Sequence, residues 1–374
     1  MSSLPVIQGR GTQANPPNRF DRIIVEPDGD WLDEAIADGE QPQRRSTLYL
    51  RDTSKTIIAK NNSPDVGFTH SINAYRGCSH GCSYCYARPT HEWLGFSAGL
   101  DFETKIMVKE NAASLLRAEL SSPKWEPQTL SMSGVTDCYQ PAERRFRITR
   151  SCLEVLTEFQ NPVGIITKNH LVTRDIDLLA NLAKQNLAVV MISLTTLDGD
   201  LSAKMEPRTS SPRRRLDAIR ALAGAGIPTG IMMAPIIPGL TDHEIPAVLS
   251  AAAEAGATTA GYVPVRLPFA VKNLFEQWLT DHYPDRKEKV LNRIRSLRGG
   301  KLNDSNFVSR MRGEGIWADQ LKKMFSLAKR RAGLDEPFPS LSTKVFRRPS
   351  SQLSLVTPPK STAVSPLDGK KYGY

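Results

Sequence analysis

Five short apolar runs, at residues 130–134, 163–167, 187–194, 229–237 and 258–265, are rich in β-branched side chains and too short for buried helices, which predicts strands. Between them lie segments with helical spacing, at 109–120, 150–159, 175–185, 212–225 and 244–255. One more strand, beginning near Ser71, makes about six strand–helix units. A strand can return parallel to its neighbour only through a long crossover, so this alternation restricts the chain to an α/β fold built on a parallel sheet.

The flanks read differently. Residues 1–55 are rich in Pro, Arg, Asn and Asp, with one apolar patch at 23–25 and one amphipathic stretch at 31–36, and read as an arm packed on the main domain. The core spans 56–275. Residues 276–336 form a helical, basic region; helices are expected at 274–282, 286–297 and 316–332, the last ended by Gly333. From 337 to 374 the composition turns to Ser, Pro, Thr and Lys, which reads as a disordered tail. The net charge of +10 comes entirely from the end of the chain: residues 276–374 carry 20 Lys or Arg against 10 Asp or Glu, whereas the first 275 are balanced. Such asymmetry suggests an anionic partner, nucleic acid first, and otherwise a solvated helical surface. No apolar run approaches the roughly 20 residues that span a bilayer.

The chemistry concentrates in NAYRGCSHGCSYCYARP, where Cys78, Cys82 and Cys85 form a C-x3-C-x2-C cluster. Gly77 and Gly81 let the backbone fold around a bulky ligand. Soft thiolates select zinc or iron–sulfur. Three ligands would leave one iron of a cubane open, whereas a Cys3His zinc site would recruit His70, His80 or His91. An odd total of five cysteines argues against a disulfide framework, and reduced thiols imply a cytoplasmic setting.

The loop resembles the cluster loop of the radical S-adenosylmethionine (SAM) superfamily. Together with VTDCYQPAE, ITKNHLVTRDIDLL, ISLTT, EPRTSSPRRRLDAI and MAPIIPGLTD, it resembles the branch that contains spore photoproduct lyase, over about residues 68–268. The resemblance implies a partial (β/α)6 TIM-type barrel, with reacting groups at the C-terminal ends of its strands. It implies a [4Fe–4S] cluster on Cys78, Cys82 and Cys85, whose open iron chelates SAM and whose electron yields a 5′-deoxyadenosyl radical. It also implies an electron donor such as flavodoxin or ferredoxin.

Position by position, the resemblance assigns SAM contacts to Tyr84, Thr136, Lys168, Ser193 and Ala234. A sulfonium carrying a carboxylate needs an ammonium partner and hydroxyl donors, which suits Lys168 and Ser193. Tyr86 matches a tyrosine of the lyase's radical relay. One departure stands out: the branch's hydrogen-donating cysteine is replaced by Gly134. Cys138, four residues on, is the candidate replacement thiol; otherwise it is a buried loop cysteine. Cys152, inside a helix, reads as core. Arg213, Arg214 and Arg215 read as a phosphate-holding cluster, or as a solvated turn in which Glu206 pairs with Arg208.

In the tail, Gln352, Leu353, Ser354, Leu355 and Val356 resemble the pentapeptide by which bacterial repair proteins dock on the DNA sliding clamp. Three functions remain open at this stage: a radical SAM enzyme on nucleic acid, in repair or modification; one on a protein or small molecule; and a non-catalytic iron–sulfur protein that binds nucleic acid.

Overall fold

The β-branched runs form strands and the intervening periodic segments form helices, in the order the sequence predicts. The computed structural model describes residues 7, 9–21 and 46–349. Its strands are β1 (Leu48–Arg51), β2 (Ile58–Lys60), β3 (His70–Ile72), β4 (Tyr75–Arg76), β5 (Lys105–Val108), β6 (Leu130–Met132), β7 (Val163–Thr167), β8 (Ala188–Ser193), β9 (Thr229–Ile236) and β10 (Thr259–Pro264). Seven of them make one sheet in the order β10-β9-β8-β7-β6-β3-β2. All its pairings are parallel except β2 with β3, so β3 and β6–β10 are the six parallel strands of a partial barrel. Every residue of β8 is buried, as expected for a central strand covered on both faces.

The helices are α1 (Leu100–Thr104), α2 (Ala112–Ser121), α3 (Glu143–Phe146), α4 (Ile148–Phe159), α5 (Ile176–Ala183), α6 (Gly199–Met205), α7 (Pro212–Gly224), α8 (Ile245–Glu254), α9 (Val271–His282), α10 (Pro284–Ser296), α11 (Ser309–Arg312) and α12 (Ile316–Arg331). α7 shows how local chemistry places them. Ser211 caps its N-terminus, Pro212 occupies the first turn, and Arg215, Ala218, Ile219 and Leu222 form its buried face. None of the described helices is long and apolar enough to cross a membrane.

A second, three-stranded sheet, β1-β5-β4, was not visible in the sequence. Residues 105–108 pair as β5 with β1, and the helix expected from 109 starts at Ala112. The C-terminal helices also prove less separate than their composition suggests. Phe275, Trp278, Val290 and Ile294 share one apolar cluster with Cys82, Tyr84 and Met205, so α9 and α10 pack on the cysteine loop itself.

The chain on either side of the core is held by specific bonds. Within the arm, the Gly11 N–H and the Thr12 hydroxyl donate to the Glu103 carboxylate, and Asn18 donates to the Glu92 and Phe96 carbonyls. The apolar stretches at 23–25 and 31–36 lie outside the described residues. Disorder from 337 onward is corrected for residues 337–349. Phe346 packs on the core against Phe159, and Arg347 and Arg348 donate to the carbonyls of Glu158, Ser122 and Trp125. Aromatic burial outweighs the polar composition there.

The barrel is open, with β10 and β2 as its edges. The segment around α11 bridges that gap. Arg298 donates to the Val265, Ser309 and Arg310 carbonyls, while Arg310 pairs with Asp65 in the loop between β2 and β3.

Candidate active site

The cysteine loop leaves β4 through Gly77, at φ 81°, and turns again at Gly81, at φ 69°. Both positions need glycine for a second reason. A Cβ at Gly77 would lie 2.9 Å from the His91 ring, and one at Gly81 2.6 Å from the Glu103 carboxylate. The loop is fixed from several sides. Gln140 accepts from the Ser79 N–H at 3.0 Å and donates to the Gly77 carbonyl at 3.0 Å; the Ser83 N–H donates to Met205. Fully buried Arg88 donates to the Cys82, Ala98 and Gly99 carbonyls and pairs with buried Glu103. Glu103 in turn holds the arm, so a single buried ion pair orders both segments.

The three cysteines are free thiols, Cys78 and Cys82 buried and Cys85 partly so. Burial raises the pKa of each, and the neighbouring thiols raise those of Cys78 and Cys82 further. Three crowded thiols with mutually unfavourable ionisation are what a cationic centre relieves. The histidines of a Cys3His zinc site are engaged elsewhere. His80 meets Asn169 at 3.0 Å and Asp137 at 3.5 Å, His91 meets the Lys105 carbonyl at 2.9 Å, and His70 meets Thr69 at 2.9 Å. Among the described residues, no three His, Cys, Asp or Glu side chains lie close enough to share one ion. Three soft thiolates on one loop, with the histidines engaged elsewhere, are a donor set suited to an iron–sulfur cluster that keeps one iron open.

At the C-terminal ends of the strands, four of the five SAM candidates converge. Lys168, just past β7, donates its ammonium to Ser193 Oγ at 2.8 Å, the Ala234 carbonyl at 2.8 Å and Thr195 Oγ1 at 3.3 Å. It also pairs with Glu206 at 3.1 Å and sits 5.7 Å from the Tyr84 ring. The Tyr84 hydroxyl donates to Glu206, so the cysteine loop and the strand ends meet at one carboxylate. Thr136 stands apart from this group; its hydroxyl donates to the Tyr75 carbonyl at 2.7 Å. Tyr86, directly after Cys85, is about half exposed and its hydroxyl reaches the Gly134 carbonyl at 3.3 Å.

The sequence reading missed Glu206 as the hub and misplaced its partner. Glu206 is buried and pairs with Arg215, which also donates to the Ser193 and Ser210 carbonyls; Arg208 instead contacts Thr47. The arginine cluster is therefore corrected: Arg215 points into the core, away from Arg213 and Arg214 on the surface. The signal was present, because Arg215 shares its helical face with Ala218, Ile219 and Leu222. Burial alone would raise the Glu206 carboxyl, but Arg215 and Lys168 hold it well below the usual carboxylate range.

A superfamily profile matches residues 72–252, described as the radical SAM superfamily. The chain belongs to the radical SAM superfamily. An uncharacterised protein of Mycobacterium tuberculosis is 37% identical over 238 residues, which cover 63% of this chain and 69% of that protein. One of Methanocaldococcus jannaschii is 30% identical over 227 residues, covering 61% and 81%. Among solved structures, spore photoproduct lyase complexed with dinucleoside spore photoproduct is similar in fold, with a TM-score of 0.56 at 18% identity over 76% of this chain and 79% of that one. Membership implies a [4Fe–4S] cluster, SAM and a reductant; this radical SAM enzyme is thus redox-dependent.

Two departures limit the analogy to the lyase. A Cβ at Gly134 would lie 2.9 Å from Ser71 Cβ and 3.1 Å from its Oγ, so a cysteine there would require β3 to shift. Cys138 is packed in the main core at 4% exposure, and burial with Asp137 nearby keeps its thiol protonated. That placement matches a core thiol. Cys152 is likewise buried in α4.

Buried His91 gives this loop a pH dependence. Burial lowers its pKa from 6.5 to about 4, so the unfolded chain takes up its proton first as pH falls. Stability is then full above about pH 6.5 and declines toward pH 4, by on the order of 3 kcal/mol for this group. Denaturant titrations of wild type and His91→Gln across pH 7 to 5 check this; the variant's stability should fall less steeply. Equal slopes would show that His91 is protonated in the folded chain.

Proposed function

We propose that Cys78, Cys82 and Cys85 ligate the cluster, that Lys168, Ser193, Ala234 and Tyr84 hold SAM beside it, and that the substrate is nucleic acid. Bound together, the cluster and SAM supply hydrogen-atom abstraction. Lys168 offers the SAM carboxylate an ammonium already positioned by three oxygen atoms, and Tyr84 offers the adenosine a flat buried face. Thr136, whose hydroxyl is tied to the Tyr75 carbonyl, would join the SAM contacts only from outside this group. Tyr86 is the exposed aromatic positioned to relay a radical, and Cys138 is withdrawn from that role. A flavodoxin or ferredoxin in the cytoplasm would provide the electron.

The observation that carries the nucleic-acid reading is a cavity of about 700 Å³ behind the C-terminal end of β9. It is lined by Arg286, Lys289, Arg293, His243 and Trp317, with Asp242 as its one carboxylate. Asp242 is paired with Arg293, which stacks on Trp317, so Arg286 and Lys289 remain for an external anion. Phosphates are held by such groups. The peptide Gln352 to Val356, outside the described residues, offers a separate contact to a sliding clamp.

Affinity of the reconstituted chain for duplex and single-stranded DNA should fall steeply between 50 and 200 mM salt, as counterions are released. The double variant Arg286→Gln, Lys289→Gln should lower the slope of log K against log salt by about 2. Salt-independent or absent binding would return the substrate to the protein or small-molecule class.

A further inference from the structure

Four flat groups from three distant segments adjoin one another in succession at the rim of the barrel. Trp93, in the turn after the cysteine loop, lies 4.4 Å from Phe20 of the arm, centroid to centroid. The Arg19 guanidinium carbon sits 4.7 Å from the Phe20 ring and 3.8 Å from the ring of Phe269, in the loop after β10. Trp93 is 73% exposed, Phe269 59% and Phe20 47%. The ladder therefore runs from the cysteine-loop side of the open barrel to its β10 edge.

Burial does not explain this arrangement. The arm is already tied down by Asn18 and by the Arg19–Glu92 ion pair at 3.2 Å. Phe269 even adopts φ 51°, a left-handed conformation unfavourable for a bulky side chain, and stays exposed while doing so. Inward of the ladder, the same two segments contribute a second pair, with Arg266 5.7 Å from the Tyr86 ring beside Cys85. The order of flat faces thus leads from solvent toward the cysteine loop.

We propose that Trp93, Phe20, Arg19 and Phe269 form a stacking platform for the bases of single-stranded DNA, feeding a strand toward the cysteine loop. The proposal rests on the nucleic-acid reading above. Aromatic and guanidinium faces in series are how proteins hold unpaired bases, because every base has a π-face. Arg19 pairs through Nε with Glu92 while its plane lies against Phe20 and Phe269, so it serves the ladder as a flat surface rather than as a free charge.

The test uses full-length reconstituted protein and a fluorescein-labelled dT12 oligonucleotide, followed by anisotropy at several salt concentrations. Trp93→Ala and Phe269→Asn (asparagine tolerates the left-handed backbone) should each weaken binding at least about 5-fold, with the salt slope unchanged because neither residue is charged. Trp93→Phe should retain most of the affinity, and melting temperatures should match wild type for these exposed sites. Wild-type affinity in both weakened variants would overturn the platform. Salt-dependent binding to duplex but not to dT12 would overturn the platform and leave the nucleic-acid reading standing. Absence of salt-dependent binding to any nucleic acid would remove both. Binding of U12 with no binding of dT12 would overturn the assignment to DNA.

Discussion

Replacing any one of Cys78, Cys82 or Cys85 by alanine is expected to leave anaerobically reconstituted protein almost without iron and to abolish SAM cleavage. All three thiols lie on one loop whose turns are set by Gly77 and Gly81, and no His, Asp or Glu among the described residues converges with them to stand in. A cubane stripped of one thiolate loses a strong soft ligand and gains solvent access. Fold should persist, because the loop is fixed by Arg88, Gln140 and Ser83 independently of the metal. Cys138→Ala and Cys152→Ala serve as controls and should keep their iron, since both belong to the main apolar core. Iron content, visible absorbance and 5′-deoxyadenosine release are the measurements. Retention of a full iron complement in Cys82→Ala, or stoichiometric zinc in the wild type, would overturn the ligand assignment.

The second large effect is expected at Glu206. Its buried carboxylate is shared by Arg215, Lys168, Tyr84 and Thr195. Glu206→Ala strands the Arg215 guanidinium, 1% exposed, without a counter-ion. Removing one partner of a buried pair costs on the order of 3–5 kcal/mol, because the remaining charge keeps its desolvation penalty. Glu206→Gln keeps the shape and one acceptor but not the charge, and should fall between alanine and wild type. Chemical denaturation reads the stability; SAM affinity should drop in parallel, since Lys168 and Tyr84 both lose their anchor. A loss below about 1 kcal/mol in Glu206→Ala would mean that water or another anion reaches Arg215.

How much of this was legible in the sequence depends on the range of the interaction involved. Val163–Thr167 and Ala188–Ser193 were visible because β-branched runs flanked by helical spacing leave few alternatives. The grouping of Lys168, Ser193 and Ala234 was implied by the family resemblance, and all three lie at or near the C-terminal ends of neighbouring parallel strands. β1, β4 and β5 were not visible: strands of four, two and four residues carry too little periodicity. The Glu206–Arg215 pair was lost for another reason. Arg208 is nearer in sequence, and only the direction in which α7 presents its buried face decides between the two. The placement of residues 337–349 comes from contacts distant in sequence, Phe346 against Phe159 and Arg347 and Arg348 on carbonyls 189 to 226 positions away, which composition averages away.

The Asp65–Arg310 bridge across the open side of the barrel has a consequence for the order in which the protein can be completed. Its two residues are separated by 245 positions, whereas the contact of Gly11 with Glu103 spans 92. A ribosome adding roughly 5–20 residues per second needs about 10–40 s to travel from the end of the cysteine-loop region to Arg310. Through that interval the arm can already hold the loop in shape while the barrel's flank has nothing to shut it. Closure of the barrel's flank therefore waits for synthesis of the last quarter of the chain.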